Sequence, residues 1–494
     1  MHIAYASSEV LPYSKTGGLG DVGGSLPAAL AALGHSIDVF TPYYRGTKKI
    51  DPKAEPAAEG FVPVGTESVP WKLLRASVTP AGVQTYFVAH EGYFDREGLY
   101  GDNRGDYADN ISRYIFFCRA VMAAAEALGK PVDVFHGNDW QTAPLPVYLR
   151  TSFADHPFLG SAGSLFTIHN LAYQGLFWHW DWPLLNLPWR HFNWKELEFH
   201  GKLNLLKGAL VHADVLSTVS PTYAREIQTA ESGCGLDGVL GDRADELFGV
   251  VNGIDTSAWN PAADPHLPAA YDAENLAGKA ACRKALLERF KLDASGGRAV
   301  FGVVGRLVEQ KGFELLVQGL EELLRRKVCL AVLGTGDPRI QERLTEAAKR
   351  YPGRMGVVFA FDNALAHLVT AGSDVFVMPS KFEPCGLNQL YALRYGTPPL
   401  VRAVGGLADT VTDATPEALQ AGTATGFAFD EFHSKALLAA ADRALSSFGD
   451  AAGWRALQQR GMRQDWSWTR SARAYEDLYG RVARKAKLRS SAAS

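Results

Sequence analysis

The 494-residue sequence is poor in cysteine. Its five, Cys118, Cys234, Cys282, Cys329 and Cys385, are odd in number, scattered and never spaced as Cys-x-x-Cys. That argues against a disulfide framework and for a reducing compartment. No stretch approaches the ~18 apolar residues of a membrane span, and no basic segment precedes an apolar run at the N-terminus. A soluble, unprocessed cytoplasmic protein is therefore expected. Neither sign of charge is in excess: 50 Lys and Arg stand against 53 Asp and Glu, for a net charge of −3. Nucleic acid and anionic membrane are excluded as partners on that balance, and any charged substrate must be met locally. Asp-x-Asp, His-Glu-x-x-His and Gly-x-Ser-x-Gly are also missing. A carboxylate-held metal, a zinc hydrolase and an esterase elbow are thus not signalled, and neither metal nor cofactor is expected. Nothing in the sequence sets an oligomeric state.

What is present is alternation. HIAYA, SIDVF, VDVFHGND, SLFTIHN and DVLSTVS are short apolar runs separated by helical patterns such as SLPAALAALG and RYIFFCRAVMAAAEALG. Strands alternating with helices predict a doubly wound parallel sheet, with ligands at the carboxyl ends of the strands. After VVNGIDTSAWNPAADPHLP, a boundary or hinge rich in Asn, Pro, Gly and Asp, the pattern restarts with AVFGVVGRL, VCLAVLGTGD, MGVVFAF, DVFVMPS and PPLVRAVGG. The expected architecture is two Rossmann-like domains, 1–251 and 252–466, facing a central cleft. Residues 467–494 remain as a last segment, whose basic, Ser-rich end after Arg481 is expected to fray.

Three loops carry the candidate chemistry. In TGGLGDVGG, Gly18 to Gly23 spells the dinucleotide fingerprint, with Asp38 about 20 residues on. Equally, Lys15 ahead of Gly17 and Gly18 suits a loop that holds a sugar diphosphate, with backbone N–H groups and a helix N-terminus meeting phosphate oxygens. In GRLVEQKGF, Arg306 and Lys311 flank a turn and can meet a diphosphate, unless they are simply a solvated helix start. In PSKFEPCGLNQ, Glu383 and Cys385 occupy a turn before a helix, with Gly386 and Leu387 offering free N–H groups; Glu383 is either a sugar ligand or a capping acid. Gly405 and Gly406 offer a second phosphate seat. Asp139, His169 and Asn252 end strands at the same rim.

In order along the chain, KTGGLGDV, HGNDWQTA, TIHNLAYQG, KGALVHAD, TVSPTYAREI, GCGLDGVL, NGIDTSAWNP, GRLVEQKG, EPCGLNQLYALRYGTPP and GGLADTV resemble the bacterial glycogen synthases and plant starch synthases. The resemblance runs from Lys15 to Val411 and reads the glycine loop as a sugar-nucleotide loop. It implies a GT-B-type fold with a C-terminal helix returning to the first domain. The implied activity is retaining transfer of glucose from ADP-glucose to the non-reducing end of an α-1,4-glucan. It further implies that Lys15, Gly17, Gly18, Arg306 and Lys311 hold the donor diphosphate, with Asp21 and Asn252 nearby. His169 would stabilise the glucosyl cation and Glu383 anchor the glucose; Cys385, Gly386, Leu387, Gly405, Gly406 and Thr410 would line the donor site. Asp139 would sit near the reacting centre. Phe361 stands where some members carry Tyr, which leaves UDP-glucose open as donor. An NAD-dependent sugar-nucleotide enzyme would have no need of Arg306, Lys311 and Glu383, and a non-catalytic glucan-binding scaffold would be expected to have lost them. The cleft is expected to close about hinges near Val251–Asn260 and Trp466. Arg306 and Lys311, as cleft-lining charges, are expected to matter little for stability.

Overall fold

The structure, a computed structural model, describes residues 1–493. The chain divides into two compact units, residues 1–253 with 468 onward, and residues 254–467.

The first unit is built on a nine-stranded sheet whose order is Leu247–Gly249, Val215–Thr218, Gly163–Ile168, Val134–Asn138, His2–Ala6, Ser36–Pro42, Val83–Ala89, Glu67–Arg75, Glu55–Val64. The first seven run parallel. Their central members are buried at every position but His2, as strands covered on both faces must be. The last two strands add an antiparallel edge to this parallel sheet. In Glu67–Arg75 buried Val69, Trp71 and Leu73 alternate with outward-facing residues, the period-2 pattern of a strand with one wet face.

The helix Trp468–Ala493 packs on this unit: Trp468, Tyr475, Tyr479 and Val482 join the core formed by Ile3, Tyr5, Val22, Leu26 and Leu165. Close approach requires Gly163 beneath it, since a Cβ there would lie 2.2 Å from a Val482 methyl. A buried polar chain threads the contact, with Tyr479 hydroxyl 2.8 Å from His136 Nδ1 and His136 Nε2 2.7 Å from Thr167 Oγ1. The expected fraying after Arg481 is corrected. The helix continues to Ala493 because Lys485 pairs with Glu246 and Arg489 with Asp214, which satisfies the basic residues that made the segment look unstructured.

The second unit holds a six-stranded, wholly parallel sheet in the order Met355–Val358, Val328–Leu333, Ala299–Val304, Val375–Met378, Pro399–Arg402, Phe427–Phe429. The covering helix Phe313–Arg325 shows why: Phe313, Leu316, Leu320, Leu323 and Leu324 fall on one buried stripe, with Glu314, Glu321 and Glu322 outside it. The presumed hinge stretch is anchored from Ile254 on. Ile254 N–H donates to the Trp466 carbonyl (2.8 Å), and Trp259 is stacked between His367 and Tyr391 at centroid distances of 3.8 and 3.7 Å. No helix among the described residues is long and apolar enough to cross a membrane.

Asp214 ties together several segments of the first unit. Buried, it accepts from Ser164 N–H (2.8 Å) and Arg150 (2.5 Å), besides Arg489. Asp214→Ala would leave a half-buried arginine and a buried N–H without their acceptor. Urea unfolding should show a loss of about 3–5 kcal/mol; a loss under about 1 kcal/mol would mean that the contact is incidental.

Candidate functional site

In the first unit the glycine loop follows the strand His2–Ala6 and enters the helix Gly18–Ala32, whose N-cap is Gly17. The residue that shapes this loop, Glu9, escaped the sequence reading. Its buried carboxylate accepts from Thr16 N–H and Thr16 hydroxyl (both 2.6 Å), Gly17 N–H (3.1 Å) and Tyr100 hydroxyl (2.7 Å). The Gly17 amide, expected to meet a diphosphate, is therefore engaged by Glu9. Lys15 is likewise not a lone cation: its ammonium lies 2.7 Å from Asp21. Burial raises the Asp21 carboxyl and Lys15 pulls it back.

At the ends of the next two strands of the same sheet sits a tighter cluster. Asp139 follows the strand Val134–Asn138 with φ +57°, a conformation rare for a residue with a Cβ and costing on the order of 1–3 kcal/mol. Its Oδ1 accepts from His169 N–H (2.7 Å), which offsets part of that strain, with Asn170 N–H at 3.4 Å. Burial nevertheless pushes its carboxyl up to about 7 against the pull of those N–H groups. The His169 ring lies 2.9 Å, through Nε2, from Asn138 Oδ1. Asn138 is itself oriented: its Nδ2 donates to the Ala6 carbonyl (3.0 Å), and Tyr5 hydroxyl donates to its Oδ1 (3.2 Å). Asn138 thus presents an acceptor, so the ring carries its proton on Nε2 and leaves Nδ1 as a lone pair. Burial pushes the imidazole down to about 3, so it is neutral at physiological pH. Asn252 lies three residues past the strand Leu247–Gly249, two strands from the one leading to His169. It is buried, and its Oδ1 has no partner among the described residues.

The second unit places its own group at strand ends. Arg306 follows the strand Ala299–Val304 and is exposed, with no hydrogen bond or ion pair from its guanidinium to described residues. Lys311 is different. Its ammonium sits 2.6 Å from Glu383 Oε2, the lysine side chain 24% exposed and the glutamate 5%. Ser380 hydroxyl donates to the same oxygen (3.0 Å). The turn holding Glu383 is braced from behind. A Cβ on Gly405, at φ +44°, would lie 2.0 Å from the Glu383 carbonyl, and Gly406 N–H donates to the Glu383 and Pro384 carbonyls (both 3.1 Å). Gln389 ties the Cys385 and Gly386 carbonyls to Thr410 hydroxyl, which donates to the Gly406 carbonyl. The amide of Gly406 and the buried hydroxyl of Thr410 are therefore spent inside the protein, supporting the turn rather than facing a ligand. The helix after the turn begins at Asn388, with Gly386 and Leu387 as its approach.

Two family models match, one described as the starch synthase catalytic domain over residues 2–242 and one as glycosyl transferases group 1 over residues 286–455. The glycogen synthase of Anaeromyxobacter sp. (strain Fw109-5) is 49% identical over 487 residues, covering 98% of this chain and 100% of the relative. That of Koribacter versatilis (strain Ellin345) is 47% identical over 479 residues, covering 97% and 98%. Among solved structures, the catalytic domain of starch synthase IV from Arabidopsis thaliana, bound to ADP and acarbose, superposes with a TM-score of 0.86 at 31% identity, covering 98% of this chain and 99% of that one. Two parallel α/β units of this kind define a glycosyltransferase of the GT-B class. The chain belongs to the glycogen synthase and starch synthase family.

Asp139 keeps its proton to about pH 7 when folded, against 3.8 as the ordinary value. The folded state then binds more protons between those values, and stability falls as pH rises through that window. Asp139→Asn retains an acceptor for the His169 N–H and removes the titration. Its unfolding free energy should exceed that of wild type by about 1–3 kcal/mol near pH 8 and converge with it near pH 4; parallel pH profiles would contradict this.

Arg306 and Lys311 differ in what they hold, because Lys311 is paired with the buried Glu383 carboxylate and Arg306 with nothing among the described residues. Lys311→Ala should cost about 2–4 kcal/mol by stranding the Glu383 carboxylate, while Arg306→Ala should change unfolding by less than about 0.5 kcal/mol. Thermal and urea unfolding of both variants checks the contrast.

Proposed function

We propose that the protein transfers glucose from ADP-glucose to the non-reducing end of an α-1,4-glucan with retention of configuration. The observation that carries this reading is the Arabidopsis relative, alike over nearly the whole chain, which holds ADP and acarbose, a nucleoside diphosphate and an oligosaccharide-like ligand. The roles follow from the chemistry of each side chain. Arg306, exposed and uncommitted, meets the diphosphate. Lys311 has three N–H donors, so one on Glu383 leaves two for phosphate oxygens. Lys15 and the Gly18 amide add positive potential, with Asp21 and Asn252 at the periphery of the donor. Glu383, steadied by Lys311 and Ser380, receives glucose hydroxyls; Cys385, Gly386 and Leu387 form the wall of that pocket.

When the bond from the anomeric carbon to the diphosphate breaks, negative charge gathers on the phosphate, and fixed cations stabilise it more in the transition state than in the ground state. Asp139 is committed to the backbone of His169 and largely protonated below about pH 7, which makes it a poor covalent nucleophile. We favour attack by the acceptor hydroxyl on the face the diphosphate leaves, the departing phosphate oxygen taking the hydroxyl proton. A neutral His169 fits beside the developing glucosyl cation, where an imidazolium would repel it. UDP-glucose remains the second reading, because Phe361, 91% exposed, offers a nucleotide no hydroxyl.

Side-by-side kcat/KM values with ADP-glucose and UDP-glucose on a glycogen primer decide the donor; a higher value with UDP-glucose would overturn the first reading. Arg306→Ala should lower kcat about 10²–10³-fold, roughly 2.7–4 kcal/mol, and excess EDTA should leave wild-type turnover intact.

A further inference from the structure

Away from these loops, three side chains from separate segments converge in the first unit. His191 ends the short turn Trp189–His191, Glu196 lies in the loop after it, and His212 closes the helix Leu205–His212. Glu196 Oε2 is 2.7 Å from His191 Nδ1 and 3.1 Å from His212 Nε2, and the three potential ligand atoms lie within 4.8 Å of one another. The side chains are only 13%, 14% and 23% exposed for His191, His212 and Glu196. The geometry points to a binding site for a divalent transition-metal cation, Zn²⁺ being the ion best suited to two imidazoles and one carboxylate.

Charge is the first reason. Glu196 is a mostly buried carboxylate with no lysine or arginine partner among the described residues. The neighbouring cations are already committed: Arg150 pairs with Asp214 at 2.5 Å, and Lys207 donates to the Trp194 and Glu198 carbonyls. A divalent ion would balance the carboxylate. Orientation is the second reason. Asn193 Nδ2 donates to Glu196 Oε1 (3.0 Å) and to the Arg190 carbonyl (2.7 Å), which turns Oε2 toward both rings, as outer-shell groups do for metal-ligating carboxylates. His212 also sits in the last turn of its helix, where the carbonyl ends favour a cation. Three protein ligands leave the remaining position to water, and the ion would clasp the 189–196 segment to the end of the helix.

Co²⁺ replaces Zn²⁺ and reports its own coordination, so the test titrates metal-free, full-length protein with Co²⁺ and follows visible d–d absorption and isothermal calorimetry. Saturation at one equivalent, displaced by Zn²⁺, is expected. His212→Ala should weaken binding by more than about 100-fold and Asn193→Ala by about 10-fold, the range that loss of an outer-shell partner produces. Should His212→Ala not fold, Glu196→Gln tests the same point with little change of shape. Zn²⁺ should also raise the melting temperature of wild type and not of either ligand variant. Absence of binding to wild type, unchanged affinity in both ligand variants, or a thiolate-to-cobalt charge-transfer band assigning the ion to the exposed Cys234 would each overturn the site.

Discussion

A carboxylate withdrawn from water has to be given donors, and this chain uses that demand to fasten its loops. Glu9 gathers the N–H groups of Thr16 and Gly17 and so dictates the path of the glycine loop. Asp139 draws in the backbone of His169, Asp214 binds Ser164 and two arginines, and Glu383 takes Lys311 and Ser380. Were any of these acids left unpaired, the desolvation cost would be several kcal/mol, a large share of the stability of an ordinary domain. The strand ends on which the proposed chemistry depends are thus fixed by electrostatic necessity from beneath, while exposed side chains such as Arg306 stay free to meet a ligand.

Much of the architecture was legible in the sequence because burial on both faces writes itself as continuous apolar runs. HIAYA, VDVFHGND and AVFGVVG could hardly be anything but central parallel strands. The antiparallel pair at residues 55–75 was missed for the opposite reason: its outer face is wet, so charged residues interrupt the run and the pattern reads as loop. The end after Arg481 was misread by composition, since lysines and arginines look solvated until acids elsewhere in the sequence, Asp214 and Glu246, come to meet them.

The candidate site was legible in part. Glycines, a lysine before them and polar residues at strand ends are local signals, and they led to the loops described above. What is not local is who occupies whom. Nothing in KTGGLGD reveals that Glu9 already holds the Gly17 amide, and nothing in GRLVEQKG reveals that Lys311 belongs to an acid 72 residues away. Glu9 left one faint signal, a lone carboxylate in the otherwise uncharged stretch SSEVLPYS that follows the first strand. Asn138, which sets the tautomer of His169, left none beyond its adjacency to Asp139.

Residues 254–467 are, in topological terms, an insertion within the first unit, whose core is completed by Trp468, Tyr475, Tyr479 and Val482 from the last helix. During synthesis the ribosome reaches that helix only after the whole second unit, so at about 5–20 residues per second the nascent first unit waits tens of seconds with an apolar groove uncovered. Over that interval the sheet around His136 and Gly163 is a target for chaperones or for aggregation. A message truncated before its final helix would yield a protein whose second unit can fold to completion while its first cannot.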